Sequence, residues 1–440
     1  MFLLEYWDRK RTSLRCKICM SEKRLSIMIG KKYTLNHNHS FNAISAFRTD
    51  IQALRAIAVL LVLAFHVWPS RLTGGYVGAD IFFVISGYLI TGHLLREVAS
   101  TGRVDLPAFY ARRARRLLPS ASLTLVLVGV AAYLWMPAFT WKKVAADMAA
   151  STLYVENWAL VRRSVDYLSQ GQTPSPLQHF WSLAVEEQFY VGWPLLVAGV
   201  AATRTRRAGA KSAPLFGAAL QCPLGRAFAL PMGMLCGLSF VTSQYYAHAN
   251  PAARYFMTHN RLHELGLDGL LGVWAAARAP AGPHGNAELG KPTARPASRW
   301  RRTLAAAAGL AALGASGCLY TAATPFPGTA TLVPVLGAAA VIAAGEGSVE
   351  YESPAHALAP ALAQPWLQYV GDISYSLYLA HWPVVVMYPF ITGRAVDGVF
   401  ADGVTVLVRS WALAQACKRV MSIYHLCPYI TSPHPSNLKV

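Results

Sequence analysis

Charge is what this chain lacks most. Only 14% of its 440 residues are Asp, Glu, Lys or Arg, where a soluble domain carries about a quarter. Acids are the scarcer half, 21 against 40 Lys and Arg. That shortage, with 54% hydrophobic residues and a positive mean hydropathy, excludes an ordinary water-soluble globule. An N-terminal apolar core with a small-residue cleavage site is absent too, so the first span is expected to insert itself rather than follow a signal peptide. The seven cysteines do not form a disulfide framework. Cys222, Cys236, Cys318 and Cys417 lie in or beside apolar runs and read as small core residues. Cys16 and Cys19 have the spacing of half a zinc site with no partner pair, so no metal is expected. The net charge of +19 suggests nucleic acid at first sight. The Lys and Arg residues, however, sit in short stretches between apolar runs, as cytoplasmic loops do, and no nucleic-acid partner is expected.

What is there is a series of apolar runs near 20 residues long, the signature of an all-α polytopic membrane protein. The spans are expected at about 52–68, 76–95, 117–136, 181–202, 226–247, 261–277, 303–321, 329–345, 369–391 and 400–417. That makes about ten transmembrane helices around an interior polar cavity, with both ends cytoplasmic. Residues 144–160 are apolar on average but contain Asp147, Glu156 and Asn157. A true crossing there makes eleven spans; a re-entrant or interfacial helix keeps the basic loops around 204–211 and 278–302 on the inside, which the charge rule favours. Residues 1–46 read as a basic cytoplasmic extension or sequence upstream of the true start, 47–418 as the membrane domain, and 419–440 as an atypical short tail.

Five groups of polar residues interrupt the apolar runs. Arg55 and His66 are eleven positions apart, nearly on one helical face and about 16 Å apart along the axis. A protonatable group on an inward face of a membrane helix points to function. Asp80, in the second span, needs a partner at that depth, and a histidine or arginine of the first span is the natural one. In Arg112-Arg113-Ala114-Arg115-Arg116, positions 113 and 116 share a face, as do 112 and 115. Topology alone explains the charge, but four arginines without a lysine suit the planar fork that binds phosphate. The run His179-Phe-Trp181-Ser-Leu-Ala-Val-Glu186-Glu187-Gln-Phe-Tyr190 opens a span on the outer side. Its carboxylates suit a helix N-terminus, or they bind a polar substrate at the outer surface. Ser374, Tyr378 and His381, spaced i, i+4, i+7, line one face and either close a hydrogen-bond network or line a cavity.

Together, Arg55-x10-His66, Gly78-Ala-Asp80-Ile-Phe-Phe-Val-Ile-Ser86-Gly87, Arg113-x-x-Arg116 before Leu-Leu-Pro119, Trp181-Ser-Leu-Ala-Val-Glu-Glu-Gln-Phe-Tyr190 and Ser374-Tyr-Ser-Leu-Tyr-x-x-His-Trp-Pro383 resemble the acyltransferase-3 family. These are bacterial integral-membrane O-acyltransferases of cell-surface glycans. The resemblance covers about residues 47–418. It implies transfer of an acyl group, usually acetyl, from cytoplasmic acyl-CoA to a hydroxyl of a polysaccharide, lipopolysaccharide or other glycan or glycolipid at the bacterial cytoplasmic membrane. It implies His66 and Arg55 as catalytic, with Asp80 or Glu186 orienting the imidazole or binding the acceptor. Arg113 and Arg116 are implied as the acyl-CoA phosphate site, and His179, Trp181, Glu187, Tyr190, Ser374, Tyr378 and His381 as substrate-binding. A neutral imidazole can take the proton of a sugar hydroxyl. The pattern departs from the family in the first 46 residues and after about Lys418. Some members continue there into an SGNH-type hydrolase domain, and the polar tail reads instead as a frameshift or truncation. The competing readings are a transporter or flippase, whose buried His, Asp and Glu would relay protons, and a catalytically inactive member.

Overall fold

The structure is a computed structural model that describes residues 48–165, 174–208, 225–278, 298–346, 356–396 and 400–426. The basic N-terminal segment, the Cys16–Cys19 pair, Cys222, much of the loops around 204–211 and 278–302, and the tail from 427 lie outside those residues. The described residues form helices and connecting turns, without a strand.

Helix α1 (Thr49–Val67) is built from Leu, Val and Ala and stops where Trp68 precedes Pro69, since a residue before proline is pushed out of helical geometry. Its first turn is tied by Arg48, which donates to Asp50 at 2.6 and 2.9 Å. Helix α2 (Gly78–Thr101) ends on Gly102 in the left-handed conformation that closes a C-terminus. Helix α3 (Leu106–Trp135) begins earlier than the apolar run near 117 suggests. Asp105 caps it by accepting the Ala108 N–H at 3.0 Å, and a proline occupies the first turn. That start outweighs the signal of Pro119, which lies inside the helix. The four arginines therefore ride on α3 itself.

Residues 144–160 do not form one helix. They divide between α4 (Trp141–Thr152) and α5 (Glu156–Val165), broken where Tyr154 takes a positive φ of 53°. Their acids share one partner: Arg163 pairs with Asp147, and with Glu156 at 2.7 Å. Asn157 donates to the Phe256 carbonyl at 3.1 Å and accepts from Gln188 at 2.9 Å. The chain continues through α6 (Phe180–Ala208), α7 (Gly225–Ala249), α8 (Leu262–Arg278), α9 (Arg299–Leu319), α10 (Leu332–Ala344), α11 (Pro365–Thr392) and α12 (Phe400–Leu426). Helix α12 runs on past Lys418, so the start of the expected tail is helical. Cys236 and Cys417 are buried as expected, whereas Cys318 is exposed.

Four stretches, Thr49–Val67, Gly75–Thr101, Leu106–Trp135 and Arg299–Leu319, are long and apolar enough to cross a membrane. The outer surface agrees with a bilayer. Along α7, Leu230, Met234, Leu238, Val241 and Tyr245 form one continuous stripe, each 63–68% exposed. Such a stripe is a liability in water and natural against lipid.

Helix α2 is the spine. Ile81, Val84, Ile85 and Tyr88 pack into a cluster with α1, α10 and α11. Ala79, Phe83, Leu94 and Val98 pack into a second cluster with α6, α7 and α8. The backbones approach closely at Gly87, where an added Cβ would lie 1.9 Å from the Leu265 carbonyl oxygen of α8. Gly87→Ala should therefore destabilise the bundle by about 1–3 kcal/mol, read as a lowered midpoint of thermal unfolding in detergent. Gly92→Ala, on the same helix with nothing within 4 Å, should leave the midpoint in place.

Candidate active site

Two cavities open inside the bundle, and four helices each contribute to both. The first, about 310 Å³, is lined by Arg55 of α1, Ser86 and His93 of α2, Glu186, Glu187 and Tyr190 of α6, and Ser374 of α11, with Arg112, Arg113 and Arg116 of α3. The second, about 370 Å³, is lined by His66 of α1, Tyr76 and Ala79, Trp181 and the preceding His179, and Trp382 of α11, with Tyr255 and Phe326 from other turns. The geometry follows from the helical rise. Arg55 and His66 are about 16 Å apart along α1, and Trp181 and Tyr190 about 13 Å apart along α6. Ala79 and Tyr378 line both cavities, so these side chains form the shared wall.

The first cavity is a charged chamber. Arg55 donates to Gln52 Oε1 at 3.3 Å. The Arg113 guanidinium lies 3.5 Å from the centroid of the Tyr190 ring, a cation–π contact. Arg112 is 3.2 Å from His93 Nε2 and 3.8 Å from Glu97. Ser86 donates to Glu186 Oε1 at 3.0 Å. Ser374 Oγ is buried without a hydrogen-bond partner among the described residues, and Ser374 lines this chamber. Arg115 is not among its lining residues.

The second cavity is aromatic, with histidines on one side. His66 Nδ1 is 3.2 Å from His381 Nε2. His381 Nδ1 is 2.6 Å from the Tyr378 carbonyl oxygen, and His179 Nε2 is 3.2 Å from that of Leu379. The Tyr378 hydroxyl is 2.5 Å from Ser182 Oγ and donates to the His179 carbonyl at 3.1 Å. Behind the aromatic wall lies a fully buried guanidinium, Arg261. It donates from Nη1 to Asp80 Oδ1 and Glu264 Oε1, both at 2.8 Å, and from Nε to the Tyr255 carbonyl at 3.0 Å. The rings of Tyr255, Phe326 and Trp181 surround it, with centroids 4.5, 5.2 and 5.3 Å from its central carbon.

Three expectations are corrected here. Asp80 is partnered by Arg261, from the turn into α8, and not by a residue of the first span. Neither Asp80 nor Glu186 hydrogen-bonds the His66 ring; His381 does. The residues grouped as substrate-binding divide between levels, with His179 and Trp181 lining the cavity of His66 but Glu187 and Tyr190 lining that of Arg113. Ser374 lines the first chamber, Tyr378 the wall, and His381 bonds the histidine of the second. Sequence reasoning passed over Arg261, Glu264, His93 and Tyr255. Arg261 and Glu264 carried a usable signal, two opposite charges three apart at the start of an apolar run. Among the described residues, no cluster of three or more His, Cys, Asp or Glu could hold a metal ion.

Arg261→Ala would leave two buried carboxylates uncompensated, which costs about 3–5 kcal/mol. The variant should be lost from the monodisperse peak on size exclusion in detergent. Adding Asp80→Asn and Glu264→Gln to it should restore part of the peak.

The comparisons with known proteins give the family. The family model described as an acyltransferase domain (Acyl_transf_3) matches residues 48–398. A Staphylococcus aureus (strain MSSA476) protein named "Putative O-acetyltransferase" is 42% identical over 161 residues, 37% of this chain and 26% of its own length. The peptidoglycan O-acetyltransferase of Listeria monocytogenes is 43% identical over 145 residues, 33% of this chain and 23% of its own. A Bacillus subtilis (strain 168) protein named "Putative peptidoglycan O-acetyltransferase" is 31% identical over 344 residues, 77% of this chain and 48% of its own. The chain thus spans half or less of the length of these relatives. No solved structure matches. Since the family model covers well over half of the chain, the chain belongs to this acyltransferase family.

Proposed function

We propose that this chain is a membrane O-acyltransferase that moves an acyl group, acetyl first among candidates, from cytoplasmic acyl-CoA to a hydroxyl of a cell-envelope glycan. The observation that carries the reading is the two-level site: an arginine-rich chamber and a histidine-bearing aromatic chamber meeting at Ala79 and Tyr378. Arg113, Arg116 and Arg55 offer forked donors to phosphate oxygens. The thin pantetheine arm carries the thioester past the shared wall towards His66. Trp181, Tyr255 and Trp382 offer flat apolar faces to a sugar ring, and His66 takes the acceptor's hydroxyl proton. The hydroxyl oxygen bonds to the thioester carbonyl carbon, the carbon–sulfur bond breaks, and the imidazolium returns its proton to the departing thiolate. The peptidoglycan activity in the names of two relatives makes cell-wall glycan the first acceptor to test.

The same reading takes the expected ten spans as crossings and puts the first chamber on the cytoplasmic side, with the N-terminal end. The basic clusters support it. Arg112, Arg113 and Arg116 line the first chamber. Arg302 and Arg48 both reach Glu346, at 2.7 and 3.2 Å, so the start of α9 lies beside the start of α1, as cytoplasmic ends should.

Membranes carrying the chain should transfer label from acetyl-CoA to cell-wall glycan. His66→Ala should lower the rate by about 10²–10⁴-fold at normal protein levels, and Arg113→Ala should raise the KM for acetyl-CoA. An unaffected His66→Ala would sink the mechanism, and transport of a glycan without acetyl-CoA consumption would favour a carrier. Ala79→Leu narrows the passage, and should lower kcat by about 10²-fold while CoA binding, followed by calorimetry, stays unchanged.

A further inference from the structure

Resting on the acyl-transfer reading, we propose that His381 is a positioning residue that fixes which nitrogen of His66 is the base. The argument starts from a group with no choice. The Tyr378 carbonyl oxygen can only accept, and His381 Nδ1 lies 2.6 Å from it, so His381 Nδ1 carries a hydrogen. In a neutral imidazole the other nitrogen, Nε2, then holds the lone pair. That nitrogen is 3.2 Å from His66 Nδ1, so His66 Nδ1 must be the donor of the pair. The lone pair of His66 therefore resides on Nε2.

Packing holds the ring in that orientation. The His66 ring centroid is 4.5 Å from Trp382, 5.1 Å from Phe65 and 5.2 Å from His381. His66 lines the second cavity, whereas His381 is 1% exposed and does not. His381 thus acts through His66, not on a substrate. When His66 takes the acceptor's proton on Nε2, its Nδ1–H becomes the donor of a charged ring, and the bond to His381 strengthens. The role is that of the carboxylate in a Ser-His-Asp triad, performed by an uncharged acceptor. An uncharged partner suits this site, because a carboxylate beside His66 would need a counter-charge of its own.

The test compares two substitutions of similar bulk. His381→Phe removes the acceptor; His381→Gln keeps a side-chain oxygen able to accept from His66 Nδ1. The expected result is a fall in kcat of about 10²–10⁴-fold for His381→Phe, an unchanged KM for acetyl-CoA, and at least about tenfold recovery in His381→Gln. Equal loss in both variants, a raised acceptor KM with kcat intact, or full activity in His381→Phe would overturn the proposal. Nitrogen-15 NMR of histidine-labelled wild-type protein in detergent reads the tautomer directly. A protonated Nδ1 and bare Nε2 on His66 support the assignment, and the reverse overturns it. That spectrum requires neither turnover nor a folded variant, so it decides the tautomer even if no acetyl transfer is found and the parent reading fails.

Discussion

Hydrocarbon offers no hydrogen bonds, so a charge drawn into a membrane bundle is costly unless another part of the same chain answers it. This single demand organises the interior. Asp80 and Glu264 are answered by Arg261, and Asp147 and Glu156 by Arg163. The first cluster joins segments 181 positions apart beside the aromatic wall, and the second ties the consecutive helices α4 and α5 across the helix break. Arg261 illustrates the gain. Its guanidinium donates to two carboxyl groups while three rings surround it, so one side chain both partners the buried acids and shapes the chamber beside it.

The chambers differ because the helices that build them change character along their length. Helix α1 carries an arginine near one end and a histidine near the other. Helix α6 opens beside histidine and tryptophan and turns to glutamates and tyrosine two to three turns later. Helix α11 passes Ser374, Tyr378 and His381 in the order of levels seen along α1, opposite to that along α6. Segregation of this kind keeps a forest of cations away from a neutral imidazole. On the acyl-transfer reading it also suits two substrates of opposite demands, one polyanionic and one an uncharged polyol.

Much of this was legible in the sequence. The spacing of Arg55 and His66 predicts both a shared face and a separation of levels, since the rise of a helix is a fixed property. The run of four arginines without a lysine stood out as one group, and three of them line the charged chamber. Other features were not legible because they depend on pairings across the fold. Asp80 and Arg261 are 181 positions apart, and no periodicity connects them. Glu187 and Tyr190 were misplaced because one motif was treated as one place, although its helix climbs about 13 Å between Trp181 and Tyr190. The break at Tyr154 is a backbone event that an apolar run does not announce, and the true start of α3 needed Asp105 to be weighed above Pro119.

The wall shared by the chambers has a consequence of its own. A thioester open to water from both sides of a bilayer would be wasted by hydrolysis, and an unbarred channel through the bundle would leak protons. With Tyr378 held by Ser182 and by the carbonyl of residue 179, the bundle never has to be open from end to end. On the acyl-transfer reading it works as an airlock: one compartment is loaded while the other stays sealed, and the partition yields only to a group slender enough to pass it.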